Sequence, residues 1–285
     1  MTQSFFLDGP ADDPAYVNVR DLSHLAAYRA FTESLWPHYK HLADDHFLAD
    51  ARNHFLQRFW EMYLACTLID RGFELHRHGG EGPEFFFNDG AKRVWVEAIA
   101  PTAGTGADKV PATVPGECFT TPVDKIVLRF TSALHDKRKK VEIAMAKSIV
   151  KRDDAVLLAL NSRAIPHAPY GAEMPYIVKA MLPFGALTIG IDRQTRKAVE
   201  TYHQYRPELL KSNQSPVSTM PFLDPAYSMF TGVIHSGVDC ANRPDEMGKD
   251  FYLLHNPTAA HSLSPQLFSW GRQVRYVDGA LEELP

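Results

Sequence analysis

Two glutamates, Glu84 and Glu97, stand thirteen residues apart in an apolar stretch of the chain. Glu84 follows Gly82-Pro83 and leads into Phe85-Phe86-Phe87. Glu97 interrupts the run Val94-Trp95-Val96-Glu97-Ala98-Ile99-Ala100. A carboxylate in so apolar a run must, if buried, be paired, hydrogen-bonded or metal-bound. Taken alone, Glu97 fits a surface position equally well. Together, two carboxylates on neighbouring strands of a hairpin are oxygen ligands at a fixed separation, which suits a hard cation such as Mg²⁺ or Mn²⁺. Such a cation polarises a phosphate, helps to deprotonate water and holds the scissile group. If the two carboxylates lie too far apart to share one cation, this chemistry fails. A third acid, Glu61, is the only charged residue between Phe59 and Ile69. Gln57 and Arg58 lie one turn earlier on the same side, so a solvated helix face accounts for Glu61 as readily as a site does.

The elements that must position these groups follow from periodicity. Phe55, Phe59, Met62, Cys66 and Ile69 step by three and four, which predicts a helix over 51–72 stopped by Gly72. Residues 73–77 read as a strand and 78–83 as a turn. Residues 85–87 and 93–100 read as two short strands joined by Asn88-Asp89-Gly90, an Asp-Gly hairpin signal. Residues 102–120, rich in Gly, Pro, Thr and Ala, read as a long irregular loop of the kind that often carries function. Thr121 is positioned to cap the next helix, with Pro122 at its first position and Asp124 completing a capping box. That helix is expected to run to about residue 150, followed by a buried strand over 154–160. Further strands are expected at 186–191, 199–205, 230–235 and 251–255. No composition break divides the chain. The expectation is therefore one domain over 1–285, with a helical cap over 1–50, a core over 51–165 and a β-rich C-terminal elaboration over 166–285.

The order helix, strand, Pro-Glu strand, Glu strand, helix, strand resembles the PD-(D/E)XK, or restriction-endonuclease-like, nuclease superfamily. The likeness covers roughly residues 51–165 and extends loosely to bacterial sequences with a Val-Glu-Ala-Ile-Ala-Pro type strand. Pro83-Glu84 matches the Pro-Asp element, with Glu for Asp. Glu97-Ala98-Ile99 matches the Glu-x-Lys element, with Ile for Lys, and Glu61 matches the acid on the helix. The resemblance implies an α/β fold with a mixed central sheet flanked by helices. It implies Glu84 and Glu97 as ligands of Mg²⁺ or Mn²⁺, with Glu61 assisting through water, and a nucleic acid, DNA or RNA, as substrate. It also admits a homodimer, since many such proteins pair to cut both strands.

Ile99 is the departure. Positions 97 and 99 share one face of a strand, and the family places there an amine that orients water and offsets charge. Isoleucine does neither. Either another cation has migrated to that point, or the fold persists in a catalytically inactive protein that binds nucleic acid or protein. Migration has a natural source in the helix that follows. Its apolar stripe is Val123, Val127, Phe130, Leu134, Val141 and Met145, and Lys137 interrupts it. A lysine in such a stripe either snorkels outward or meets a carboxylate. Arg129 is the second candidate, able to grip a phosphate but a poor proton acceptor. A third reading is an unrelated hydrolase whose carboxylates act as general acid and base without metal.

Composition bounds these readings. The chain has 285 residues, 45% hydrophobic and 22% charged, which is ordinary for a globular protein. The formal net charge of −4 counts against tight nonspecific DNA binding. The basic surplus is local, running from Lys125 to Lys151 through Arg129 and Lys137-Arg138-Lys139-Lys140, and it fits a solvated face as well as a phosphate-binding one. Three dispersed cysteines form no disulfide or zinc framework. The N-terminal residues lack a secretory pattern and no run is long enough for a membrane span, so a cytoplasmic protein with no membrane partner is expected. Weaker features are the His76-x-His78 pair, His255, and a Ser162, His167, Asp192 set without a nucleophile elbow. Tyr170, Tyr176, Tyr202 and Tyr205 could stack on bases, but core packing is the better expectation for them.

Overall fold

The apolar run at residues 155–161 is buried at every position, and this strand lies at the inner part of a seven-stranded sheet. The structure is a computed structural model that describes residues 4–79, 82–168 and 174–285. Of the expected turn over 78–83, Gly80 and Glu81 lie outside the described residues, as does Tyr170.

The helices are α1 (Pro14–Asp21), α2 (Ala26–Tyr39), α3 (Phe47–Ala51), α4 (Phe55–Asp70), α5 (Val123–Ala146) and α6 (Tyr176–Met181). The central sheet takes β1 (Phe85–Asp89), β2 (Lys92–Ile99), β3 (Ala155–Asn161), β8 (Phe230–Ser236), β9 (Tyr252–His255), β10 (Arg272–Val277) and β11 (Ala280–Leu284), in that spatial order. Two separate ribbons pair β4 (Phe184–Ile191) with β5 (Ala198–Tyr205), and β6 (Glu208–Leu210) with β7 (Pro216–Ser218). The sheet is mixed. β1 and β2 form an antiparallel hairpin, β2, β3 and β8 are parallel, and β9 turns back against β8. Parallel neighbours need a crossover, which α5 supplies between β2 and β3.

Strand alternation sends the side chains of β2 to two different cores. Val94, Val96 and Ala98 pack with α1–α4, while Trp95 and Ile99 pack on the side of α5 and α6. The chain is thus an α/β protein with helices on both faces of a mixed sheet. α4 is buried around most of its circumference because it lies between the sheet and the N-terminal helices. Trp60 Nε1 anchors it by donating to the Ala159 carbonyl on β3, at 3.1 Å.

Asp13 ties the first helices to this layer. One of its oxygens accepts from Ala15 N and Tyr16 N at the start of α1, and the other accepts from Phe55 N at the start of α4. Asp13→Ala removes an N-cap and a link between two helices. The expected loss is about 2 kcal/mol, read from the shift of the urea midpoint. A loss near zero would mean that water replaces the carboxylate at both helix ends.

Several sequence expectations are corrected. The strand over 73–77 shrinks to a single antiparallel bridge between His76 and Phe86, because Gly72 and Phe73 are taken up in closing α4. Thr121 does not cap α5: Pro122 holds the cap position without a side-chain bond, and Val123 is the first helical residue. The helix ends at Ala146, where residues 148–150 fold back onto its last turn. The C-terminal part is more than an elaboration, since β8–β11 continue the same sheet as β1–β3. No described helix is long and apolar enough to cross a membrane.

Candidate functional site

On the α5 side of the sheet, β2 presents Trp95, Glu97 and Ile99. Glu97 is fully buried. Its Oε1 accepts hydrogen bonds from Lys137 Nζ and, at 2.9 Å, from Lys140 Nζ. The two lysines are one turn apart on α5 and therefore share a face. Glu84, two residues after Gly82 and just before β1, is held by its backbone N–H donating to the Val96 carbonyl at 3.0 Å. Its Oε1 lies 3.4 Å from Lys140 Nζ and 4.0 Å from Lys137 Nζ. The hairpin and helix thus bring Glu84 and Glu97 onto the same pair of ammonium groups. Ile99 contributes packing on the α5 side of the sheet, and the charge beside Glu97 comes from α5.

Glu61 reaches the same cleft from the opposite layer, on α4. Its Oε1 accepts from Gln57 Nε2 at 2.6 Å and its Oε2 from Arg58 Nη1 at 2.8 Å. Gln57 also accepts from Ala100 N just past β2, at 2.6 Å, which locks this end of α4 to the strand carrying Glu97. Arg58 extends the network to Asp50 at 2.6 Å. Both oxygens of Glu61 are therefore engaged, and it is not a free ligand. The cleft, about 840 Å³, is lined by Glu61, Glu84, Lys137 and Lys140, with Arg77 and Lys139 among its outer residues.

The electrostatics follow from burial. The Glu61 carboxyl is pushed up to about 7 by desolvation and by the nearby Glu84, against the pull of Arg58 and Gln57. Glu97 is raised by burial, with Glu84 adding and both lysines opposing. For Lys140, burial opposes the charged form, yet Glu97 and Glu84 outweigh it and hold the ammonium above its ordinary value.

Among the described residues, no three His, Cys, Asp or Glu side chains gather to hold a metal by themselves. The test of fit for a divalent cation is Glu97 Oε2, which is buried and has no hydrogen-bond partner among the described residues. An orphaned carboxylate oxygen beside a second carboxylate is a donor set that suits Mg²⁺, which typically takes one or two carboxylates and completes its shell with water and substrate phosphate. Glu84 and Glu97 are the residues that would hold it.

The remaining candidates fall elsewhere. Arg129 does not reach the cleft: its Nε donates to the Thr102 carbonyl at 2.9 Å, and its side chain crosses Gly104. Ser162 meets His235 (3.0 Å), not His167, which lies against the Pro111 carbonyl, while Asp192 holds the β4–β5 turn. Burial keeps His235 down at about 4, so its ring is neutral at neutral pH. The His76 ring lies tilted against Phe86, and the His78 ring meets Trp95 edge to face. His255 lies 3.0 Å from Gln273 Oε1. Tyr176 is buried as expected, whereas Tyr202 and Tyr205 are exposed on the β4–β5 ribbon because that ribbon lies outside the central sheet. Lys140 is the residue that sequence reasoning missed. Its signal was present in its spacing of three from Lys137, hidden within four consecutive basic residues.

Fold and site define an α/β protein with a buried glutamate–lysine cluster opening into a charged cleft. No protein-family model, curated protein or solved structure matches the chain.

Proposed function

We propose that this protein hydrolyses phosphodiester bonds of a nucleic acid, using a divalent cation held by Glu84 and Glu97 on a restriction-endonuclease-like core. The core runs α4, the His76–Phe86 bridge, β1, β2, α5 and β3, with α4 and α5 on opposite faces of the sheet. The single observation that carries the reading is the bond from Lys137 to Glu97. It supplies an ammonium from the following helix at the strand face where the resemblance expects one two residues after the glutamate.

When bound, the cation polarises the phosphate and lowers the pKa of an attacking water. The chain's own groups have separate tasks. Lys137 opposes the burial that raises the Glu97 carboxyl and offsets charge that develops on the phosphate. Arg58 and Gln57 orient Glu61, whose raised pKa suits proton exchange with water near neutrality. Arg77 and Lys139 line the route by which a phosphate backbone enters the cleft.

The test is incubation of the protein with single-stranded DNA, double-stranded DNA and RNA in Mg²⁺ or Mn²⁺. The expected result is cleavage of at least one of them, abolished by Glu97→Ala. Cleavage that survives this substitution comes from another site or a contaminant.

A second reading is favoured by the balance of charge. Lys137 and Lys140 already match Glu84 and Glu97 in number. On this reading the cluster is structural and the cleft binds nucleic acid or protein without cutting. Oligonucleotide binding without cleavage, unchanged by Mn²⁺, would support it.

A further inference from the structure

The geometry points to Lys140 as a built-in, displaceable countercation: its ammonium holds the place between Glu84 and Glu97 and leaves for the phosphate of an incoming substrate when a divalent cation enters. The inference rests on the metal-dependent reading above.

Three observations carry it. First, Lys140 Nζ bridges the two carboxylates, at 2.9 Å from Glu97 and 3.4 Å from Glu84. It stands where a shared cation would compete with it. Second, the two lysines differ in freedom. The side chain of Lys137 is 14% exposed, whereas that of Lys140 is 41% exposed at the cleft. A long flexible side chain with that exposure can swing its head outward while its stem stays packed. Third, both ammoniums crowd onto Oε1 of Glu97 and leave buried Oε2 without a partner among the described residues. The cluster therefore retains a donor that a lysine does not satisfy and a second cation can.

Charge decides which group moves. Two carboxylates and two ammoniums balance. A divalent cation added to that set brings two excess positive charges within a few ångströms of each other, in a site where they are poorly screened. Lys137 is enclosed; Lys140 has solvent on one side. Releasing Lys140 leaves Glu84, Glu97, Lys137 and the cation with a single positive charge, which one phosphodiester neutralises. Lys140, still tethered to the cleft, then faces that phosphate. By linkage, metal and phosphate each bind more tightly in the presence of the other.

The experiment is a Mn²⁺ titration of the wild-type chain, Lys140→Met and Lys140→Ala, followed by calorimetry and by the Mn²⁺ electron paramagnetic resonance signal. Lys140→Met and Lys140→Ala are expected to bind Mn²⁺ about tenfold more tightly than wild type. In Lys140→Met/Glu97→Gln the gain is expected to disappear, which places the ion at this cluster. Wild-type binding that either lysine variant leaves unchanged or weakens overturns the inference while leaving the metal reading standing. No saturable Mn²⁺ binding in wild type or in either variant sinks the metal reading, and the inference with it. Because Lys140 is part exposed, both variants should fold; a melting curve for each, with and without Mn²⁺, checks this and gives an independent measure, since a ligand that binds only the folded chain raises Tm.

Discussion

Lys137→Ala should slow nucleic-acid cleavage by about 10²–10³-fold while leaving Mn²⁺ affinity equal to or tighter than that of wild type. The argument starts from Ile99. On β2, positions 97 and 99 face α5, and an isoleucine there can neither orient water nor offset charge. Lys137 comes from the helix to the same face of the strand and bonds directly to Glu97. On the proposed nuclease function, its removal would take away a positive charge beside the reacting phosphate, a loss felt in the transition state and not in metal binding. Folding should survive, because Lys140 still donates to Glu97 at 2.9 Å. The two effects separate cleanly: a metal ligand would lose both activity and Mn²⁺ binding, whereas Lys137 should lose only the first. Lys137→Arg should restore little, since a guanidinium is a planar, two-pronged donor and a poor replacement for an ammonium point charge in an enclosed site. Wild-type rates in Lys137→Ala would remove this lysine from the mechanism.

The second large effect concerns stability and its dependence on pH. Arg58→Met should destabilise the protein by about 3–5 kcal/mol at pH 8, because it leaves the Glu61 carboxylate buried without the guanidinium that pairs with it. Glu61 would keep Gln57, but it faces Glu84 across the cleft and lies within electrostatic range of the buried Tyr39. The sign with pH follows from the raised carboxyl. In the folded protein Glu61 titrates at about 7, above its ordinary value of 4.5. Between those values the folded state holds more protons than the unfolded chain, so stability falls as pH rises through this window. The wild type should therefore lose stability between about pH 5 and pH 7, and Glu61→Gln should flatten that slope. Glu97, also raised, acts in the same direction. In Arg58→Met the slope should steepen, because only the hydrogen bond from Gln57 then pulls Glu61 back towards ionisation. Its cost should shrink toward pH 5, where a protonated Glu61 needs no countercharge. Urea unfolding at pH 5 and pH 8 measures each point, and the double variant Arg58→Met/Glu61→Gln should recover much of the loss. A cost independent of pH would mean that Arg58 acts through Asp50 and its packing on Phe47 rather than through Glu61.

Much of the site was legible because charged residues broke apolar periodicities. Glu61 interrupts a buried helix, Glu97 a buried strand and Lys137 an apolar stripe. Each break costs free energy unless a partner meets it, and the structure supplies a partner in every case. Arg129 misled because it follows no such break. It sits on α5 between Leu128 and Phe130, one turn after Lys125, and its side chain is taken up by the 102–120 loop, whose Thr102 carbonyl accepts from it away from the cleft. Lys140 was hidden by the opposite problem: within four consecutive basic residues, no local pattern marks which one turns inward.

The fold divides along the same line. Helix α4, the β1–β2 hairpin, α5 and β3 follow from local pattern: periods of 3.6 and 2, a turn at Gly90-Ala91 one step past the expected Asp-Gly centre, and a fully apolar run. Such signals act within a turn or two of backbone and need no distant partner. The strand over 73–77 failed because the closing turn of α4 takes up Gly72 and Phe73, and Thr121 lies one residue before the cap position of α5, which Pro122 holds. The joining of β8–β11 to the first three strands depends on pairings between residues far apart in the chain, such as Val156 with Phe230. The chemistry shows the same division. That Glu97, if buried, needed a partner of some kind was implied by its apolar surroundings. Which cations meet it was decided by the position at which a 24-residue helix crosses the sheet, since that crossing sets which turn of α5 faces the buried carboxylate.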